Sequence, residues 1–306
     1  MENFVLIDND STDDSRALCL SRSDLNITLY NTKAIYRKSR SGLDWTNAVI
    51  KHIASKGDYW IVLVDLDELL VYPGSEEISL RQLTWYLTKR ARECMLTPMI
   101  DMYPDANIHS DNASLTFADS RYYDYTDYTF QQAARFPFFQ IFGGARRRYV
   151  KKSSISLKKV ALFNTSAGVY PAISTHAYTD RMDLCQTTGA LLHYKFSASY
   201  LDKLRRESIE KRRTQTKDYE NYLKKTELEI NLYDTDLSHE YLGSLDLVND
   251  QLMWASFSYV NHFSRILSTE LRDALMQSVA RGADRKMSDL IDLMVVIISS
   301  SKRIEQ

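Results

Sequence analysis

The sequence predicts an α/β protein with a doubly wound, mainly parallel sheet, and three observations carry that prediction. Short apolar runs rich in β-branched residues recur early in the chain, as Phe4-Val-Leu-Ile and Trp60-Ile-Val-Leu-Val. This is the composition of strands covered on both faces. Between these runs lie segments with helical spacing, and strand–helix alternation of this kind builds a parallel core. Both runs end in closely spaced carboxylates, Asp8 with Asp10 and Asp65 with Asp67 and Glu68. Open α/β sheets place their ligands at that end of their strands.

Taken in order, Asn3 to Asp8 reads as the first strand. The segment from Asp8 to Ser15 caps a helix that runs to about Ser21, with Ser11 or Thr12 at the N-cap and acids in the first turn. Leu25 to Tyr30 is the second strand. Leu43 to Ser55 is a helix with Trp45, Val49, Ile50 and Ile53 on one side, and Gly57 ends it before the Trp60 strand. After Pro73-Gly74 come a helix over Leu80–Arg92 and a strand over Met95–Met102. Tyr103 to Ser156 is irregular and aromatic, with Gly143-Gly144 followed by Arg146, Arg147 and Arg148. A connection of that length is functional or poorly ordered. Ser199 to Glu229 reads as a long charged helix, and Arg265 to Ser300 as one or two more, the last strongly apolar from Leu290 to Ile298. The expected division is therefore a catalytic-type α/β domain over residues 1–198 and a helical region over 199–306.

Composition narrows the function classes. A net charge of −1 gives no global field that would draw nucleic acid or an acidic membrane. Three cysteines, Cys19, Cys94 and Cys185, lie far apart and form neither a zinc pattern nor a disulfide framework. The acidic, Ser-rich first 25 residues carry no secretory signal, and no apolar run approaches a membrane span. These features predict a cytoplasmic protein, with peripheral attachment to the inner face of a membrane left open.

Asp65 and Asp67 are the most informative residues. Carboxylates two apart share one side of an extended chain. Like charges that close require a cation, a proton or outward splay. A hard divalent ion shared with a phosphate satisfies both; the plain alternative is a strand running into an acidic loop.

Several segments then occur in a telling order: Phe4-Val-Leu-Ile-Asp8-Asn9-Asp10, Trp60 to Tyr72, Ile100 to Pro104, Gly143-Gly144-Ala145-Arg146, Lys158 to Leu162, Ser174-Thr175-His176 and Gly189 to Phe196. Together they resemble a GT-A fold glycosyltransferase of the bacterial family-2-like type with an Asp-x-Asp-Glu core, over roughly residues 3 to 200. The resemblance implies a Rossmann-like, mainly parallel mixed sheet flanked by helices, followed by the C-terminal helices. It implies a nucleotide-sugar donor, UDP-linked in the commonest case, a glycan or glycoconjugate acceptor, no nucleic acid, and Mn²⁺ or Mg²⁺. On this reading Asp65, Asp67 and His193 surround the metal. Asp8, Asp10 and Asp65 approach the base or ribose, and Arg146 and Lys195 neutralise phosphate. Asp124 and His176 lead the candidates for the base in an inverting transfer.

Two departures stand beside the resemblance. The family begins with a further strand and helix before the segment that opens here at Phe4; the readings are a fragment or mis-set start, which the intact site residues favour, another segment filling the gap, or a truncated, non-catalytic binding module. Ala161 and Asn164 stand where the family tends to have Pro and Arg, which weakens any role for Lys158 and Lys159. An aspartate-nucleophile phosphatase is disfavoured because Leu69 occupies the position of its Thr or Val.

Overall fold

The structure is a computed structural model that describes residues 3–109, 116–149, 156–172, 174–196 and 229–281. The expected helices over Ser199–Glu229 and Leu290–Ile298 lie essentially outside the described residues. The chain is mixed α/β, with small sheets and seven α-helices among the described residues.

It opens with β1 (Phe4–Asp8), α1 (Ser15–Ser21), β2 (Ile27–Asn31), α2 (Leu43–Ala54), β3 (Trp60–Val62), β4 (Glu68–Val71) and α3 (Leu80–Lys89). Then come β5 (Cys94–Met95), β6 (Met99–Asp101), β7 (Ile108–His109), β8 (Tyr122–Asp124), β9 (Thr129–Gln132), β10 (Phe139–Phe142) and α4 (Gly144–Tyr149). The rest is β11 (Leu162–Asn164), β12 (Ala190–His193), β13 (Glu229–Ile230), β14 (Ser238–Glu240), α5 (Ser244–Asn249), α6 (Phe257–Phe263) and α7 (Thr269–Arg281).

The expectation of a mainly parallel sheet is corrected. Six of the eight strand pairings among the described residues are antiparallel. The two central three-stranded sheets have the orders β3-β11-β5 and β4-β12-β6. Their middle strands come from late in the chain and run against β3 and β4. The physical reason is tertiary: β3 and β4 lie in different sheets, and each takes its direction from a strand that arrives about a hundred residues later, a choice that no local preference encodes. Asp65 and Asp67 consequently sit in a turn between two strands, rather than on the end of one. Leu66, between them, is 85% exposed.

Period-two alternation joins these sheets to two cores. Ile100 and Leu192 face one cluster with Leu83, Leu87, Leu247, Tyr259 and Phe263. Their neighbours Met99 and Leu191 face the other, with Ile50, Ile141, Val160 and Phe163. Residues 229–281 share this architecture: β13 pairs with β7, β14 with β8, and α5 to α7 carry Leu247, Val260 and Leu275 into the first core.

Local differences follow from single residues. The expected strand Met95–Met102 divides into β5 and β6 at Pro98, which has no N–H for a ladder. The first helix starts at Ser15, not Ser11 or Thr12, and Asp13 Oδ1 takes the Ser15 N–H. Ser79 and Gln82 close a capping box at α3. β1 and β2 pair in parallel but stay half-exposed, and α1 buries no residue. No helix among the described residues is long and apolar enough to cross a membrane.

Candidate functional site

The site is built where the turn after β3 meets the ends of β6 and β12. His193 closes β12, opposite Glu68 of β4 on one side and Asp101 of β6 on the other. Three strands thus bring four carboxylates and one imidazole to a single end of the sheet.

Two of those carboxylates carry their own buried cations. Lys159 Nζ donates to Glu68 Oε2 with both side chains at 2% exposure or less. The same Glu68 oxygen accepts the Asp65 N–H at 2.9 Å, and Glu68 N–H returns a bond to Asp65 O. Glu68 therefore braces the turn from within. Asp101 is bound by Arg146 through Nε at 3.0 Å and Nη2 at 2.6 Å, a bidentate fork inside the protein. Burial alone would raise the Asp101 pKa, but Arg146 and His193 outweigh it and hold the carboxyl well below the usual range.

The other two, Asp65 and Asp67, have no basic side chain bonded to them among the described residues. What faces Asp67 is His193, with Nε2 3.7 Å from Oδ2. His193 Nδ1 lies 2.7 Å from Asp101 Oδ1, the oxygen that Arg146 Nη2 also engages. Arg146 Nη2 also lies 3.0 Å from His193 Nδ1, so Asp101 and Arg146 share that nitrogen. The other ring nitrogen, Nε2, faces Asp67 across a gap too long for a hydrogen bond.

Local sequence explains the supporting parts. Gly143 has φ +153° and Gly144 φ +61°. A Cβ at Gly143 would meet Asp127 O at 2.6 Å and Tyr128 Cα at 2.7 Å, so only glycine permits this approach. The turn launches α4, which delivers Arg146 to Asp101, Arg147 to Thr129 and Arg148 to Asp124. The Gly143-Gly144 pair is a positioning turn, and the arginine run is internal.

Placement of the expected residues is mixed. Asp67 and His193 face one another and Asp65 lies in the same turn as Asp67, but no three metal-ligating groups come together among the described residues. Arg146, expected on phosphate, is 3% exposed and its fork is committed to Asp101, because a buried guanidinium requires a carboxylate. Asp124, expected as a base, accepts from Arg148 at 2.8 and 3.1 Å and from Tyr103 at 2.5 Å, at 4% exposure. It braces β8 against α4, with both carboxylate oxygens already accepting hydrogen bonds. Asp8 Oδ1 accepts the Ser11 N–H, Asp10 adopts φ 58°, and the β1–β2 pair has no strand partner in the sheets that carry the cluster, among the described residues. Lys195 lies half-buried two residues beyond His193.

His176 joins the site through its charges. Burial, then the Lys159 and Arg146 cations, push its pKa down to about 4, against the Lys158 carbonyl and Asp65. Its Nδ1 is 2.8 Å from Lys158 O. A carbonyl only accepts, so Nδ1 bears the hydrogen and Nε2 is a free base at neutral pH.

The residues that sequence reasoning undervalued are Glu68 and Lys159. Their signal was a lysine inside Leu157-Lys-Lys-Val-Ala-Leu162, a run apolar enough that a buried ammonium there needs a carboxylate partner. No family model, no curated protein and no solved structure matches this chain.

Proposed function

We propose that the protein is a metal-dependent, inverting glycosyltransferase, moving a sugar from a nucleotide-sugar donor, most simply a UDP-sugar, to a hydroxyl of a glycan or glycoconjugate in the cytoplasm. One observation carries the reading. Of four carboxylates gathered at one sheet end, Glu68 and Asp101 are neutralised by Lys159 and Arg146, whereas Asp65 and Asp67 have no lysine or arginine of their own and Asp67 faces the His193 imidazole held by Asp101.

The donor set fits Mn²⁺ or Mg²⁺. Among the described residues no three such groups form a ready cage. One or two carboxylates completed by substrate phosphate is how nucleotide-bound Mg²⁺ is held. Asp67 and His193 would hold the ion, with Asp65 beside it, and Asp101 would keep the imidazole in place. The ion, when bound, supplies a positive charge for the diphosphate leaving group.

The chain's own groups do the rest. Glu68 and Lys159 fix the Asp65–Glu68 turn, so that the two free carboxylates are positioned before donor arrives. Lys195, two residues beyond His193, would add positive charge near the phosphates. As the acceptor oxygen forms its bond to the anomeric carbon and the bond to phosphate breaks, the hydroxyl proton passes to His176 Nε2. A base with a pKa of about 4 is neutral and ready at physiological pH, as a carboxylate base would be.

Calorimetric titration of UDP and of GDP, with Mn²⁺ and then with EDTA, tests the reading. Metal-dependent, base-selective binding that Asp67→Ala removes supports it. Nucleotide binding unchanged by EDTA or by Asp67→Ala would overturn the metal site. Binding of an intact nucleotide-sugar without turnover would favour the truncated, non-catalytic module, which the half-exposed β1–α1–β2 unit keeps in view.

A further inference from the structure

A second surface lies away from this site. Trp60 Nε1 at the start of β3 bonds Thr88 of α3, and Tyr259 of α6 bonds Pro73 O beyond the end of β4. Both anchors belong to the strand ends opposite Asp65 and His193, so α3 and α6 meet at the far end of the sheets.

There the two helices expose a mixed aromatic and basic face. Trp85 is 53% exposed and stacks on His262 with ring centroids 5.5 Å apart. Phe257 (59%), at the start of α6, and Ile266 (40%), in the turn after it, add exposed apolar surface. Around this strip stand cations. Lys89 Nζ lies 5.6 Å from the Trp85 ring centroid, and Arg90 lies 5.6 Å from that of Tyr86. Arg81 is one turn before Trp85, and Arg265 is exposed between His262 and Ile266. Lys89, Arg90 and Arg265 have no carboxylate partner among the described residues. Of the acids beyond α6, Glu77 accepts the Ser268 N–H and Glu270 stands in the first turn of α7.

Concentrating cations on one face of a chain whose net charge is −1 calls for a negative counterpart. Exposed Trp85, Phe257 and Ile266 with cations beside them, the Lys89 ammonium lying over the Trp85 ring, have the mixed aromatic and basic composition of a surface that seats in a bilayer interface. There indole and phenyl enter the headgroup layer while Lys and Arg meet anionic lipid. We infer that the Trp85–Phe257–Ile266 strip, with Lys89, Arg90 and Arg265, docks this protein on an anionic phospholipid bilayer. Docking by this end leaves the Asp65–Asp67 end facing away from the membrane, and the inference stands whether or not the transferase reading does.

The test is co-sedimentation of the full chain with vesicles of phosphatidylcholine alone and of phosphatidylcholine with phosphatidylglycerol, at low and high salt. Binding is expected only to the phosphatidylglycerol vesicles, and salt should weaken it. Lys89→Glu and Arg265→Glu should each reduce the partition coefficient by about fivefold or more, and Trp85→Ala should reduce it further. All three positions are exposed, so circular dichroism should be unchanged. Manganese-dependent UDP binding, if present in the parent protein, should persist in all three variants. Failure to bind phosphatidylglycerol vesicles, equal binding to neutral vesicles, or vesicle binding untouched by all three substitutions would overturn the proposal. Capture by an acidic protein or polyanion without vesicle binding would overturn it as well.

Discussion

Replacing Arg146 by Met removes the cation from the buried fork while preserving most of the side chain's volume. Asp101 would remain 3% exposed with His193 as its one strong remaining donor. Breaking a buried pair in this way costs about 3–5 kcal/mol, because the desolvated charge outlives its partner. In a chain of this size that corresponds to a fall of roughly 5–8 °C in Tm. Urea unfolding at pH 7, followed by circular dichroism, measures it directly. The companion variant Arg146→Met with Asp101→Leu removes both charges and should recover at least about half of the loss, since the penalty lies in the unpaired carboxylate. A single-variant loss below about 1 kcal/mol would refute the reasoning, showing that water reaches Asp101 or that its charge is balanced elsewhere. Equal losses in the single and double variants would refute it too, by tracing the effect to packing alone.

Three further outcomes follow from the same network. Asp67→Asn should leave urea stability in EDTA within about 0.5 kcal/mol of the parent, since the basic side chain facing it, His193, stands 3.7 Å away and makes no hydrogen bond to it; thermal shift with Mn²⁺ and UDP should then show stabilisation of the parent only. His176 takes its proton near pH 6.5 when unfolded and at about 4 when folded, so the unfolded state binds more protons between these values. Stability should therefore fall as pH drops through that window, by up to about 1.4 kcal/mol per unit; urea midpoints at pH 7 and 5 measure it, and His176→Asn should flatten the profile. Gly143→Ala should cost at least about 1–3 kcal/mol through its Cβ clash with Asp127 O and its positive φ. Native-state hydrogen exchange across residues 144–149 should rise, and unchanged exchange would show that the turn accommodates the methyl group.

Much of the fold was legible because it is written locally. The α2 and α3 helices follow from apolar spacing and, for α3, the Ser79–Gln82 cap, and β1, β2 and β3 from β-branched runs. Strand direction was not legible. Whether Trp60–Val62 takes a parallel or an antiparallel neighbour depends on Leu162, a hundred residues later, and no local preference encodes that choice. The same holds for residues 229–281, whose strands β13 and β14 are too short to announce themselves and exist because β7 and β8 offer open edges.

The sequence by itself determined that acids, histidines and lysines would gather at strand ends, because their motifs stand where apolar runs stop. It singled out Asp65, Asp67 and His193 by residue type and order. Only tertiary structure decided how the charges divide. Arg146 and Arg148 read alike in sequence, yet burial pairs one with Asp101 and the other with Asp124, and Lys159 with Glu68. Each pairing satisfies a desolvated charge across 24 to 91 residues of chain. Desolvation acts on neighbours in space, and it leaves Asp65 and Asp67 as the carboxylates with no cation of their own.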